Sequence, residues 1–116
     1  MIRGALAALR AAGIALAVDD RAGALAEHQD SVLAWCLREA VTNVVKHSGA
    51  TRCDVSVTRD DGHVRLAVDD DGRGASTLGG GSGLEGMRER VERAGGAVEA
   101  RNGAGRGFSL RVAIPS

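Results

Sequence analysis

The chain has 116 residues, and its 15 basic and 15 acidic side chains cancel to a formal net charge of zero at pH 7. A chain of this length forms one domain and can bury a core without metal or disulfide staples. With balanced charge and a single Trp and a single Phe, it offers neither a basic surface nor a stacking platform, so nucleic acid is not an expected partner. The apolar stretch 5–18 is too short and too charged to cross a bilayer, which predicts a cytoplasmic domain without direct membrane contact.

The two cysteines, Cys36 and Cys53, lack the CxxC spacing of a redox or zinc motif. Small apolar residues buried in a reducing compartment are the expected reading of both. They predict core positions rather than a disulfide.

In the first half of the chain, helical spacing over residues 2–12 is followed by a short alternating strand that ends near Asp20. Asp30 or Ser31 is placed to cap a long helix that runs to about His47. The predicted buried face of this helix comprises Leu33, Leu37, Ala40, Val41, Val44 and Val45.

Two strands then form a predicted hairpin. Alternation over 53–58 and again over 64–68 surrounds Asp61 and Gly62, which supply the positive-φ turn chemistry of a tight connection. Extending the alternation by one step puts Asp70 on the buried face of the second strand. A carboxylate is therefore expected on the core side.

A Gly-rich segment, 71–83, cannot build a packed element and predicts a long loop. A helix follows from Leu84, and strands at 98–100 and 108–114 close the chain. This order predicts an α+β fold, a two-layer α/β sandwich with a mixed, mostly antiparallel sheet of about five strands and three helices on one face. One domain is expected over residues 1–116.

Three polar side chains share one face of the long helix, because Glu39, Asn43 and Lys46 stand at i, i+4 and i+7. Packing alone does not require a carboxylate, an amide and an ammonium in one row. The row predicts a ligand beside it. A solvated pair of Glu39 with Lys46 and an exposed Asn43 are the structural alternatives.

Glycines cluster at three further places, of which the last, Gly105 and Gly107, belongs to a predicted hairpin turn before Phe108. The first cluster comprises Asp70, Gly72 and Gly74, and the second comprises Gly81, Gly83 and Leu84. Backbone amides exposed by glycines at the start of a helix attract an anion such as phosphate. By itself the second cluster is neither a Walker loop nor a dinucleotide fingerprint, so a plain linker and a turn-capping aspartate stay open as alternatives.

In combination these motifs resemble the ATP-binding domain of sensor histidine kinases, in the superfamily that also holds DNA gyrase, heat-shock chaperone ATPases and mismatch-repair ATPases. LREAVTNVVKHSGA resembles the asparagine box of that family, VDDDGRG its first glycine box, GSGLEGMRERV its second and GAGRGFSLRVAIP its closing hairpin. The pairing of the first motif with GLEGMRERV is most similar to nitrate-sensing and thermosensing kinases. The resemblance implies a Bergerat-type fold with ATP and Mg²⁺ as ligands.

Carried onto this sequence, the resemblance implies that Asn43 binds Mg²⁺ and that Lys46 binds the phosphates. It also implies that Asp70 accepts a hydrogen bond from the exocyclic amine of adenine. It implies that Gly72 and Gly74 let the backbone approach the nucleotide. It also implies that a lid loop closes over the phosphates with Gly81, Gly83 and Leu84. Glu39 has two open roles. It would be a general base toward water, as in gyrase-like relatives, or it would orient Mg²⁺ or a water.

The implied activity is transfer of the γ-phosphoryl group of ATP to a histidine on a separate dimerisation domain, for relay to a response regulator. That helical hairpin does not occur in these residues, and His28 lies inside the nucleotide domain, so it is not expected to be the phosphoacceptor. The isolated domain is expected to be monomeric. Phe108 stands where relatives often carry Thr, which is expected to change how the last hairpin meets the site.

Two other functions stay open from sequence alone. One is a stand-alone protein-serine kinase of the anti-sigma-factor type, which would dimerise through this domain. The other is a non-catalytic nucleotide-binding module.

Overall fold

The fold is described from a computed structural model, which covers residues 6–7, 10–45, 49–72, 82–102 and 107–116, without the side chains of 82–84 and 102. The strands are β1 (Ala15–Asp20), β2 (Arg52–Asp60), β3 (His63–Asp70), β4 (Ala97–Asn102) and β5 (Phe108–Pro115). The helices are α1 (Glu27–Asn43) and α2 (Ser82–Arg93). Residues 6–7 and 10–11, within the predicted first helix, are also helical.

The five strands form one sheet in the order β1-β2-β3-β5-β4. β1 pairs with β2 in parallel, and the other neighbours are antiparallel, so the predicted mixed, mostly antiparallel sheet is confirmed. Asp61 and Gly62 turn the chain between β2 and β3 with φ of 47° and 77°. Two consecutive positive φ angles are the geometry of a tight two-residue hairpin, as the sequence predicts.

The core lies between one face of the sheet and the helices. On the three central strands the apolar residues at alternate positions are buried, and these are Cys53, Val55 and Val57 of β2, Val64, Leu66 and Val68 of β3, and Phe108, Leu110, Val112 and Ile114 of β5. α1 and α2 pack against this face. Both cysteines are free thiols in the core, as predicted, and burial raises the pKa of each to about 12.

α1 begins earlier than the sequence predicts, so the expected cap at Asp30 or Ser31 is wrong. The helix starts at Glu27, and Oε1 of Gln29 accepts a hydrogen bond from the backbone N–H of Ala26 at 2.9 Å. Nε2 of the Gln29 side chain donates to the backbone carbonyl of Pro115 at 3.1 Å. Gln29 thus stabilises the first turn and joins it to the end of β5, which a local capping rule cannot anticipate.

Val45 is also placed wrongly by the sequence. It is 42% exposed, whereas Val44 beside it is 1% exposed. Successive helical residues point about 100° apart, so one of two neighbours at the edge of an apolar stripe turns outward. The helix additionally widens to a π-turn at these two residues.

The two helices run antiparallel and approach closely. A Cβ at Gly86 of α2 would lie 3.3 Å from the Trp35 ring of α1, so glycine keeps the pair close. The guanidinium of Arg90 lies over the same ring, 4.5 Å from its centroid. This cation–π contact locks the register of α2 on α1.

Candidate functional site

One end of the sheet collects the predicted site residues. The start of β2, the end of β3 and the start of β5 lie side by side, with Asp70 opposite Cys53 on one side and opposite Phe108 on the other. α1 ends at Asn43, shortly before β2 begins, so its last turn lies toward this end.

α2 begins toward the same end. A tight turn joins its last residue, Arg93, to β4, and the first residue of β4 pairs with Ala113 near the opposite end of the sheet. A helix of this length spans about 18 Å. The last turn of α2 is therefore held at the far end of the sheet, and the N-terminus, with unpaired N–H groups and a positive dipole, faces away from that end.

Asp70 is the predicted inward carboxylate, and the structure confirms its side. Oδ1 accepts a hydrogen bond from the backbone N–H of Gly72 at 2.7 Å. Oδ2 is buried and has no hydrogen-bond partner among the described residues. Burial raises the pKa of Asp70, an effect only partly offset by the backbone N–H groups of Gly72 and Phe108. The strand end thus presents a desolvated acceptor that lacks a donor.

Gly107, which the sequence places only in a predicted hairpin turn, also shapes the end of β3 that carries Asp70. Its N–H donates to the Gly72 carbonyl at 2.6 Å. A Cβ there would lie 2.5 Å from the carbonyl oxygen of Asp70, and its φ of +82° disfavours any side chain. Glycine at this point lets β5 clamp the chain that follows Asp70. A glycine-rich hairpin was the available signal, but the close approach appears only in the assembled sheet.

Asp71 is a second residue whose role the sequence motifs do not reveal. Its carboxylate accepts hydrogen bonds from the backbone N–H groups of Thr51 and Arg52 at 2.8 and 2.9 Å and from the Thr51 hydroxyl at 2.6 Å. These bonds, led by the hydroxyl, lower the pKa of Asp71 to about 2. Asp71 thus ties the exit of β3 to the start of β2, and it holds the neighbouring Asp70 in place.

Glu39 and Asn43 lie on α1 one turn apart, and both side chains are half-buried. This burial does not decide between a ligand-binding Asn43 and the alternative of an exposed helix residue. Lys46, the third member of the row, lies outside the described residues. Its predicted role at the phosphates stays a prediction, and the alternative of a solvated pair with Glu39 stays open.

The glycine clusters are described only in part. Gly74 and Gly81 lie outside the described residues, as does most of the predicted lid loop. Gly83 and Leu84 belong to the first turn of α2. The described residues thus offer a buried acceptor without a partner among them at the end of β3, which fits a ligand that carries an N–H donor. The N-terminus of α2 offers a group that attracts an anion.

A family model described as histidine kinase-, DNA gyrase B- and HSP90-like ATPase matches residues 29–116. The sensor histidine kinase DesK of Bacillus subtilis is 42% identical over 92 residues, which cover 75% of this chain and 24% of that protein. The sensor histidine kinase YvfT of the same organism is 42% identical over 62 residues, covering 53% of this chain and 17% of its own length. The chain thus spans a quarter or less of these two curated relatives.

Solved structures share the fold. The histidine kinase domain of a blue-light activated kinase from Erythrobacter litoralis matches with a TM-score of 0.77 at 22% identity, covering 97% of this chain and 61% of that one. The ATP binding domain of PrrB from Mycobacterium tuberculosis matches with a TM-score of 0.76 at 23% identity, covering 99% of this chain and 90% of that one. No helix in the described part of the chain has the length and apolar character needed to cross a membrane.

Proposed function

Because the chain belongs to the histidine kinase-, DNA gyrase B- and HSP90-like ATPase family, we propose that it binds Mg·ATP as the catalytic part of a sensor histidine kinase. The site lies where α1, β3 and α2 meet. The observation that carries this proposal is Oδ2 of Asp70, a buried acceptor without a donor among the described residues. The exocyclic amine of adenine supplies the missing N–H.

The remaining predicted residues divide between metal and phosphate. The amide oxygen of Asn43 is a hard ligand suited to Mg²⁺, which typically takes few protein ligands and completes its shell with phosphate oxygens and water. Lys46 and the N-terminus of α2, with Gly81, Gly83 and Leu84, neutralise and close over the phosphates. Gly72 and Gly74 keep the backbone near the nucleotide, and Glu39 orients the metal or a water.

In the reaction, an imidazole nitrogen of the phosphoacceptor histidine attacks the γ-phosphorus, a P–N bond forms, and the bond to the ADP oxygen breaks. The domain contributes position and charge neutralisation, which supply most of catalysis in phosphoryl transfer. The acceptor lies on a separate dimerisation domain, and a response regulator receives the phosphoryl group. The reaction takes place in the cytoplasm, and the isolated domain is monomeric.

Calorimetry tests the site directly. Wild type should bind ATP more tightly with Mg²⁺ than without it, and Asn43→Ala should lose roughly tenfold or more of the affinity for Mg·ATP, together with most of the Mg²⁺ dependence.

Thr42→Ala is the matched control, because Thr42 lies beside Asn43 on α1. Its hydroxyl donates a hydrogen bond within the helix, to the backbone carbonyl of Arg38 at 2.9 Å. It should bind like wild type. A wild-type chain that binds no ATP would remove the proposal. Unchanged Mg²⁺ dependence in Asn43→Ala would remove only the role of Asn43.

A further inference from the structure

The two residues opposite Asp70 in the sheet are both buried, and neither side chain is a strong hydrogen-bond donor. Cys53 on β2 and Phe108 on β5 pair with Asp70 in the sheet register. Residues directly opposite on neighbouring strands point to the same face with Cβ atoms about 5 Å apart. Cys53 is 0% and Phe108 is 4% exposed. Both side chains therefore exclude water from the flanks of the carboxylate.

Neither neighbouring side chain can satisfy the carboxylate, although the backbone N–H of Phe108 interacts favourably with it. A phenyl ring has no donor, and a thiol is a weak one. Burial raises the pKa of the Cys53 thiol to about 12, with the charge of Asp70 as a further cause, so the thiol stays neutral. Gly72 occupies Oδ1, and Oδ2 is left unpartnered within the described part of the chain.

A base with an amine at C6, as in adenine, gives Oδ2 its hydrogen bond. A base with a carbonyl at C6, as in hypoxanthine, brings a lone pair against the same oxygen and leaves both buried acceptors unpaired. Sites built to receive a substrate N–H reject analogues without it strongly for this reason. A hydroxyl beside Asp70 would soften the penalty, because it donates to either oxygen.

We propose that Cys53 and Phe108 are specificity-determining residues of the base site: by giving Asp70 no strong side-chain donor, they make the exocyclic amine of the nucleotide its required partner. This inference rests on the ATP-binding function proposed above. It goes beyond Asp70 itself, since it assigns the stringency of base selection to the two residues that flank it.

The test compares the affinities of Mg·ATP and Mg·ITP, which differ at the C6 substituent, by calorimetry on the 116-residue chain. Wild type should prefer ATP by roughly 100-fold or more. Phe108→Thr and Cys53→Ser, which add a hydroxyl donor, should reduce this ratio about tenfold, mainly through tighter ITP binding. Phe108→Leu and Cys53→Ala, which add none, should keep the wild-type ratio.

A second readout needs no nucleotide. The Asp70 carboxyl, titrated by carbon-detected NMR, should have a lower pKa in Phe108→Thr than in Phe108→Leu, and a lower one in Cys53→Ser than in Cys53→Ala. The cysteine pair changes little volume, so it decides the question if the larger change at Phe108 prevents folding.

The outcomes separate the two proposals. Equal binding of ATP and ITP by wild type would overturn the inference but leave ATP binding intact. Hydroxyl and non-hydroxyl variants with the same ratio and the same Asp70 pKa would also overturn it. A wild-type chain that binds neither nucleotide would overturn the proposed function and the inference with it.

Discussion

Two consecutive aspartates at the end of β3 have pKa values that are shifted in opposite directions. Burial raises the pKa of Asp70, whereas hydrogen bonds from Thr51 and Arg52 lower the pKa of Asp71 to about 2. The ionised form of Asp70 therefore lowers the stability of the fold, whereas the ionised form of Asp71 raises it. Of the two, the residue proposed to meet the ligand is the one whose charge the fold satisfies less well.

Asp70→Asn should not destabilise the nucleotide-free chain at pH 7, and it should raise the free energy of unfolding by up to about 1 kcal/mol, since it removes a buried charge and keeps the acceptor for Gly72. The cost of wild-type Asp70 is absent below about pH 3.8 and grows as pH rises through its elevated folded-state pKa, so the variant should gain most at neutral pH.

Urea unfolding at several pH values measures this effect. Asp69→Asn is the control, because Asp69 lies on the open face of β3 in an exposed ion pair with Arg111 and should change stability little. A large loss of stability in Asp70→Asn at pH 7 would contradict the prediction. ATP binding should be lost in Asp70→Asn and retained in Asp69→Asn.

Asp71→Ala should change the acid limb of the stability curve. The wild-type contribution of Asp71 is present above its unfolded-state pKa near 3.8 and is lost as pH falls toward about 2, so wild type should lose stability over this range more steeply than the variant. Thr51→Val removes only the hydroxyl donor and should fall between them. Superimposable pH profiles for wild type and Asp71→Ala would refute this role.

At the scale of elements, the site depends on how closely β5 approaches the end of β3. Gly107 has a positive φ and no room for a Cβ beside the Asp70 carbonyl, whereas Gly62 in the β2–β3 turn has a similar φ of +77° and open space around it. Comparing the stability lost on alanine substitution at the two glycines therefore distinguishes the cost of a strained backbone from the cost of a steric clash.

Gly62→Ala should cost about 1–2 kcal/mol of stability, the strain of a left-handed conformation alone. Gly107→Ala should cost about 2 kcal/mol more, because the chain that holds Asp70 must also move. Gly107→Ala should further weaken ATP binding by roughly tenfold, measured by calorimetry at a temperature where both variants are folded. Equal losses of stability in the two variants would show that the close approach has no energetic role.

At the scale of the whole molecule, the helices and the sheet bring one end of each to the same place. α1 runs from the end of β5, where Gln29 binds the Pro115 carbonyl, toward the start of β2, and α2 returns in the opposite direction. Trp35, Gly86 and Arg90 fix their packing. Asn43 and Asp70, the residues proposed to meet metal and base, therefore lie toward the same edge of the domain.

The chain, supplied with a separate helical-hairpin domain that carries a histidine, should transfer ³²P from γ-labelled ATP to that histidine. The product should be acid-labile and alkali-stable, as expected of a phosphoramidate. The chain alone should not label itself at His28, an exposed residue of the first turn of α1. A hairpin with the histidine changed to Gln is the control, and acid-stable phosphoserine would favour a serine kinase instead.

Much of the architecture is local and could be predicted from sequence. Strand parity placed Asp70 on the core face because side chains alternate along a strand, whatever the strand pairs with. The hairpin at Asp61 and Gly62 could be predicted because these two residue types readily adopt a positive φ. Four boxes of sequence, together with the order of helices and strands, were enough to predict the fold and the family.

Other features could be decided only by the tertiary structure, because they join residues that are distant in sequence. The start of α1 depends on Gln29 and Pro115, and the setting of Asp70 depends on Cys53, Gly107 and Phe108, which come from two other strands. Their approach is determined by how the sheet pairs and packs. The sequence by itself determined that a carboxylate faces the core, and the assembled sheet determined that one buried oxygen of this carboxylate has no partner among the described residues.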